Sequence, residues 1–102
     1  MIYEIRFKDG VESDLKEFDN RARKLIAKQL QKIAISPELG ELLGNKAGFD
    51  LSGCRKMYVD NKRVRIVYRI IEDKIIVEVI AIGDKDEMSV YEDAAQRIKG
   101  NI

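Results

Sequence analysis

The first half of the chain changes from an alternating to a helical pattern of apolar residues. Apolar residues at positions 3, 5 and 7 alternate with charged residues at 4 and 6, which predicts a half-buried strand. Apolar residues at positions 11, 15 and 18 then predict a short helix over 11–18. A longer apolar stripe predicts a helix over 20–35 with Asn20 as its N-cap. Pro37 ends this helix, because the residue before a proline avoids the α region.

The second half reads as a loop followed by a strand meander. Four glycines punctuate residues 37–54, and we expect an ordered loop there. Apolar runs over 55–59, 63–71 and 74–82, separated by tight polar turns, predict an antiparallel meander. A last helix is expected over 89–98. The order β-α-α-β-β-β-α predicts one α+β domain over 1–102, with an antiparallel four-stranded sheet, an N-terminal helical hairpin packed on one face and a short C-terminal helix. No parallel crossover is expected.

Composition excludes several kinds of site. The chain has 19 basic and 18 acidic residues, so the net charge of +1 gives no argument for nucleic-acid binding. It has no histidine, which excludes Ser–His and Cys–His catalytic pairs and the usual His/Cys zinc sites. The lone Cys54 cannot form an internal disulfide and is expected to be a small buried apolar residue. No signal-peptide core or membrane-length apolar run is present, so we expect a soluble, cytoplasmic protein.

The predicted strands place basic residues on one face of the sheet. If residues 72–73 form a two-residue turn, positions 64, 66, 68 and 70 face the helices, Arg65 lies opposite Ile80, and Arg69 lies opposite Ile76. A cationic patch then shares the other face, comprising Lys56, Tyr58, Arg63, Arg65 and Arg69. Clustered arginine and lysine are the usual partners of phosphate. The simpler alternative is that the patch is only the solvated face of an antiparallel sheet.

Several segments in their order resemble the RelE/ParE superfamily of toxins. They are Leu-Ser-Gly at 51–53, the arginine-led strand 63–70, the apolar strand 77–83 that ends in glycine, and Ser-Val-Tyr at 89–91. The resemblance covers nearly the whole chain. It implies the RelE fold and, for the RelE branch, metal-free cleavage of mRNA in the ribosomal A site, in which a 2′-hydroxyl attacks the adjacent phosphate. No cofactor is implied.

The resemblance also implies a set of catalytic residues, with two departures from the family pattern. Arg65 would stabilise charge on the phosphate, and Lys56 would accept the 2′-hydroxyl proton if neighbouring cations lower its pKa. Lys85, where the family has an arginine, would protonate the leaving oxygen. Tyr91 would stack a base or orient the nucleophile. Tyr58 stands where the family has a second lysine.

The implied RNA-binding residues are Tyr58, Arg63 and Arg69. Each implied role has a structural alternative, because Tyr91 and Tyr58 also fit as packing residues and Lys56 as a solvated strand residue.

The resemblance implies partners as well. An antitoxin protein would wrap the toxin in a hetero-oligomer, and the ribosome with its mRNA would be the target. The sequence shows no obvious exposed apolar patch that would reveal where the antitoxin docks. Two other functions stay open: inhibition of DNA gyrase in the manner of ParE, and a catalytically inactive interaction module.

Overall fold

The computed structural model describes residues 2–46, 48–84 and 89–100. Its helices and strands are β1 (Glu4–Phe7), α1 (Val11–Lys16), α2 (Asn20–Ile35), β2 (Glu41–Lys46), β3 (Phe49–Val59), β4 (Val64–Ile71), β5 (Ile76–Asp84) and α3 (Ser89–Lys99). Single 3₁₀ turns lie at Pro37–Leu39 and Glu72–Lys74. Within the described ranges, no helix combines the length and the apolar character needed to span a bilayer.

The α+β class is confirmed, but the sheet has five strands and mixed direction. The strand order is β1-β5-β4-β3-β2, and β1 pairs parallel to β5 while the other pairs are antiparallel. The prediction of an all-antiparallel, four-stranded sheet without a parallel pair was therefore wrong at both edges. Alternation showed that residues 3–7 have one buried face, but it carries no information about which strand lies beside them.

The fifth strand comes from the predicted loop over 37–54. Gly48 turns the chain between β2 and β3 with φ of 83°, and Gly53 adopts the same left-handed angle where the β2–β3 register shifts. Such angles suit glycine, and an isolated glycine in a strand commonly marks a bulge. Two of the four glycines that predicted a loop therefore mark the turn and the bulge of a β-hairpin.

The β4–β5 connection is longer than predicted. Residues 72–75 form the turn, with Ile75 in a left-handed conformation (φ 56°), and Ile71 pairs with Ile76. The register moves by two residues near the turn, which preserves the predicted faces. A shift between Val67 and Tyr68 then places both Ile80 and Ala81 in the core beside α3.

Both faces of the sheet are covered. One core contains α1 and α2 packed on the sheet through residues that include Val11, Ile26, Ile33, Ile66, Tyr68, Val77 and Val79. A second core contains α3 packed on the opposite face through residues that include Leu51, Cys54, Val67, Ile80, Val90, Tyr91 and Ala94. The predicted packing of the helical hairpin on one face is confirmed for α1 and α2, and the C-terminal helix α3 covers the opposite face. Cys54 is buried as expected.

The helix ends follow local capping chemistry. The Asp19 side chain accepts a hydrogen bond from the Ala22 amide at 2.8 Å, so Asp19 is the N-cap of α2 and Asn20 is its first residue, not the predicted cap. The helix ends at Ile35 as predicted. Helix α1 ends at Lys16, two residues before the predicted end.

Where β1 ends, an ion pair between Asp14 and Arg97 bonds to the backbone of β5 instead. β1 pairs with β5 only as far as Val79. Beyond that point, Asp14 accepts two hydrogen bonds from Arg97, at 2.7 and 2.9 Å, and one from the Ile82 amide at 3.0 Å. Arg97 also donates to the Ile80 carbonyl at 3.0 Å. This pair ties α1 to α3 around the edge of the sheet.

Candidate active site

The strand register brings part of the predicted cationic patch together. Tyr58 of β3 lies directly opposite Arg65 of β4, and Lys56 lies opposite Val67. Since side chains alternate along a strand, Lys56, Tyr58 and Arg65 share the face on which α3 packs. They form one group with Tyr91 of α3, and we call these four residues the Arg65 cluster.

The Arg65 guanidinium lies between two aromatic rings. Its Cζ is 5.0 Å from the centre of the Tyr91 ring and 5.9 Å from that of Tyr58. Both distances are within the range of cation–π attraction. Its Nε and Nη1 atoms are buried, and they find no hydrogen-bond acceptor among the described residues. The side chain as a whole is half-buried, and among the described residues it forms no ion pair with a carboxylate, so its positive charge is left unbalanced there.

Lys56 is a buried ammonium rather than a neutral amine. Its side chain is only 8% exposed, and its Nζ donates to the Tyr58 hydroxyl at 2.9 Å and lies 3.6 Å from a Glu41 carboxylate oxygen. Burial alone lowers the pKa of Lys56, but the Tyr58 hydrogen bond and the charges of Tyr91, Tyr58 and Glu41 raise it above its ordinary value. The lowered pKa expected for a proton-accepting Lys56 is therefore not what the structure shows.

Tyr58 is surrounded by cations. The Lys56 hydrogen bond lowers the pKa of the Tyr58 hydroxyl, against a smaller opposing effect of burial, and Arg65 lowers it further. Lys62 adds a third cation, with its Nζ 6.0 Å from the centre of the Tyr58 ring. Asp60, Asn61 and Lys62 all adopt positive φ angles (55°, 55° and 69°), and this tight turn brings Lys62 back over the ring.

Tyr91 of α3 packs against the Arg65 guanidinium from the protein interior. Its side chain is fully buried, so in this conformation the ring contacts Arg65 and is not exposed to stack an RNA base as implied by the sequence. Close packing of α3 on β5 holds it there, because a Cβ at Gly83 would come within 2.9 Å of the Val90 side chain. The Tyr91 hydroxyl finds no hydrogen-bond partner in the described part of the chain.

The other predicted site residues lie apart from this cluster. Arg69 lies opposite Glu78, not Ile76, and donates to its carboxylate at 2.7 Å. Arg63 is exposed in the turn, one residue before β4 begins. Lys85 lies outside the described residues.

Two charged neighbours escaped the sequence reasoning. Glu41 was assigned to the loop but lies in β2 directly opposite Lys56. Lys62 was assigned to a turn, where the structure has it, and no sequence pattern indicated that the three positive φ angles of this turn bring its side chain to the Tyr58 ring. Over the ranges that the structure describes, no group of three or more Cys, Asp or Glu side chains is placed to hold a metal ion.

Comparison with known proteins agrees with this fold. The profile of a family described as "ParE toxin of type II toxin-antitoxin system, parDE" matches residues 5–88. The mRNA interferase toxin RelE of Escherichia coli strain K12 is 27% identical over 100 residues, which are 96% of this chain and 99% of RelE.

Solved structures show the same likeness. A mutant of Escherichia coli RelE in the free state matches with a TM-score of 0.77 at 27% identity, over 96% of this chain and 99% of that one. The toxin chain of the intact Escherichia coli RelBE toxin–antitoxin complex matches with a TM-score of 0.67 at 25% identity, over 80% of this chain and 95% of that one. The chain therefore belongs to the ParE toxin family of type II toxin–antitoxin systems, within the RelE/ParE superfamily that its sequence resembles.

Proposed function

We propose that this toxin is an endoribonuclease that cuts mRNA on the ribosome. The observation that carries the proposal is the half-buried Arg65 guanidinium, held between two tyrosine rings without an ion pair to any described carboxylate. A phosphodiester carries the negative charge that would balance this guanidinium, and its oxygens can accept hydrogen bonds from it. The mRNA interferase name of a relative that matches 96% of the chain supports the same substrate class.

The cluster suits phosphate chemistry in its charge and its rigidity. During attack at phosphorus, negative charge grows on the equatorial oxygens, and donors already fixed in place stabilise that charge without reorganising. Arg65 is fixed by the rings of Tyr58 and Tyr91, and Lys56 adds a second cation on the neighbouring strand. Tyr91 thus acts as a positioning residue for Arg65.

The reaction we propose rearranges bonds within the RNA and transfers protons, and it consumes no other reactant. The 2′-oxygen attacks the adjacent phosphorus, a 2′,3′-cyclic phosphate forms, and the 5′-oxygen leaves with the electron pair of the broken P–O bond. Lys85 remains the sequence-based proposal for protonating that oxygen. Arg63 and Arg69 remain proposed RNA contacts, although the charge of Arg69 is balanced by Glu78.

A cognate antitoxin is the proposed protein partner. The matched structures include the intact RelBE complex and a RelE mutant bound to an antitoxin RelB peptide, the latter at a TM-score of 0.69 and 26% identity. We propose that the chain likewise forms a toxin–antitoxin hetero-oligomer, and that the ribosome carrying mRNA is its target.

The test compares two arginines on the same strand and face. Purified protein is mixed with translating ribosomes, and mRNA cleavage is followed in a single turnover. Because Arg65→Met removes the unpaired guanidinium, we expect the cleavage rate to fall by about 10²–10³. The ribosomes are present at saturating concentration, so a lost RNA contact does not limit the rate. Arg69→Met is the matched control and should then cleave at close to the wild-type rate, since Arg69 is paired with Glu78 and touches no reacting atom. Equal rates for wild type and Arg65→Met would remove the cluster from the reaction.

Inhibition of DNA gyrase is the second candidate function, because the profile that matches the chain is that of the ParE toxins. A supercoiling and DNA-cleavage assay with purified gyrase separates the two candidates. Gyrase inhibition that survives Arg65→Met, together with intact mRNA, would favour this second function.

A further inference from the structure

Three cations from separate parts of the chain surround the Tyr58 side chain, and one of them bonds its hydroxyl. Lys56 of β3 donates to it at 2.9 Å, Arg65 of β4 is its cross-strand partner, and Lys62 approaches its ring from the turn. From the other elements packed around the pair, Glu41 of β2 and Tyr91 of α3 both act on Lys56. Tyr58 is half-buried, so part of its side chain is exposed to solvent.

This setting makes the Tyr58 phenol easier to ionise and the Lys56 ammonium harder to deprotonate. Tyr58 has its pKa lowered from 10.0, mainly by the Lys56 hydrogen bond, and Lys56 has its pKa raised from 10.5 despite the opposing effect of burial. The two shifts have one cause, which is that the phenolate–ammonium pair attracts more strongly than the neutral pair. Lys56 then holds its proton too tightly to act as a base, and Tyr58 is the group in the cluster that can accept one.

We propose that the Tyr58 phenolate, held by Lys56 and Arg65, is the general base that takes the proton from the RNA 2′-hydroxyl. This inference rests on the proposed endonuclease function. The proton moves from the 2′-oxygen to Tyr58 Oη, and the electron pair of that O–H bond forms the new bond to phosphorus. The P–O5′ bond breaks, its electron pair leaves with the 5′-oxygen, and that oxygen takes a proton from the general acid, for which Lys85 is the sequence-based proposal. Tyr58 then returns its proton to solvent.

The proposal gives a chemical reason for Tyr58 at a position where the family pattern implies a lysine. A lysine was implied here by the family pattern, and a tyrosine was taken as an RNA-binding or packing residue. A purely structural Tyr58 would act through its ring, which contacts Arg65 at 5.9 Å. A basic Tyr58 acts through its hydroxyl. Tyr58→Phe keeps the ring and removes the hydroxyl, so it separates these two roles.

The first readout needs no RNA. Phenolate absorbance near 295 nm is titrated for wild type and Tyr58→Phe, and the difference between the two curves reports Tyr58 alone. We expect it to titrate below pH 10.0, the ordinary value for tyrosine, and to move up in Lys56→Met because the stabilising ammonium is gone. A difference curve that titrates at or above pH 10.0 would overturn the proposal.

The second readout is single-turnover cleavage of mRNA on ribosomes as a function of pH. Loss of a general base costs about 10²–10⁴ in rate, and we expect Tyr58→Phe to fall in this range. The wild-type rate should rise with pH up to the pKa found by absorbance, and Lys56→Met should move that rise to higher pH. Cleavage by Tyr58→Phe at the wild-type rate would assign Tyr58 to packing.

Failure of this inference can be told from failure of the proposed function. If wild type cleaves and Arg65→Met does not, while Tyr58→Phe remains fully active, the endonuclease stands and the role of Tyr58 falls. If wild type itself does not cleave mRNA on ribosomes, both fall together.

Discussion

Replacing Asp14 by asparagine should destabilise the protein far more than its location outside the candidate site suggests. Asp14 accepts from both terminal nitrogens of Arg97 and from the Ile82 amide. Asparagine has the same size but replaces one acceptor oxygen by an NH₂ group. Oδ2 accepts from both the Ile82 amide and Arg97 Nη1, while Oδ1 accepts from Arg97 Nη2. Whichever oxygen is replaced, at least one Arg97 donor loses its acceptor, and the charge that neutralises Arg97 is lost as well.

The magnitude follows from burial. Breaking a buried ion pair by removing one partner costs about 3–5 kcal/mol. The Asp14 and Arg97 side chains retain 12% and 20% exposure, so water partly solvates the cation that remains. We therefore expect Asp14→Asn to lower the free energy of unfolding by about 2–3 kcal/mol. For a domain of about 100 residues this corresponds to a fall in Tm of roughly 10–20 °C.

The assay is thermal and urea unfolding, with Glu4→Gln as the matched control. Glu4 pairs with Arg6 at 2.6 Å, close to the 2.7 Å of the Asp14–Arg97 pair, but the Glu4 and Arg6 side chains are 60% and 59% exposed. Exposed pairs are weak because water screens them, and we expect Glu4→Gln to leave Tm unchanged. Equal effects of the two substitutions would refute the argument from burial.

Three further predictions concern the two cores. Gly83→Ala should lower stability by about 1–3 kcal/mol in urea unfolding, because its Cβ would crowd Val90 on α3; unchanged stability would mean that α3 shifts freely. Tyr91→Phe removes a buried hydroxyl without a described partner, so thermal unfolding should show the same stability or a gain of about 1 kcal/mol; a clear loss would reveal a hydrogen bond. Burial raises the pKa of Tyr68 above 10.0, so the folded state favours the protonated form of this tyrosine. The contribution of Tyr68 to the free energy of unfolding is therefore full below pH 10 and declines above it. Unfolding measured against pH should therefore show an alkaline loss that Tyr68→Phe reduces, and identical alkaline slopes would contradict this.

Local signals in the sequence were sufficient for the helices and for the faces of the central strands. Pro37 ends α2 at Ile35 by backbone sterics alone, so that boundary was predictable. The side-chain alternation of strands placed Lys56, Tyr58 and Arg65 on one face, as the structure has them. The register was not predictable, because it depends on Ile75, a β-branched residue in a left-handed conformation that sequence rules do not expect.

The surroundings of the site depend on a second helical layer, which the hydrophobic pattern of the strands did not lead us to predict. Val67, Ile76 and Ile80 were assigned to a solvated face, although such apolar residues on the second face of central strands indicate a second covering layer. Helix α3 is that layer over Val67 and Ile80, and beside it Arg65 is half-buried, with its Nε and Nη1 atoms enclosed, rather than a solvated strand residue. The pKa shifts of Lys56 and Tyr58 depend on contacts with Glu41 and on the 2.9 Å hydrogen bond, which only coordinates supply.

The most direct test of the Arg65 site is the mapping of mRNA 5′ ends in cells after induced expression of the wild-type toxin and of Arg65→Met. Wild type should produce new 5′ ends within translated reading frames, and Arg65→Met, accumulating as a folded protein, should produce none. The same new ends in both strains, or their absence from the wild type, would contradict the assignment of this guanidinium to the scissile phosphate.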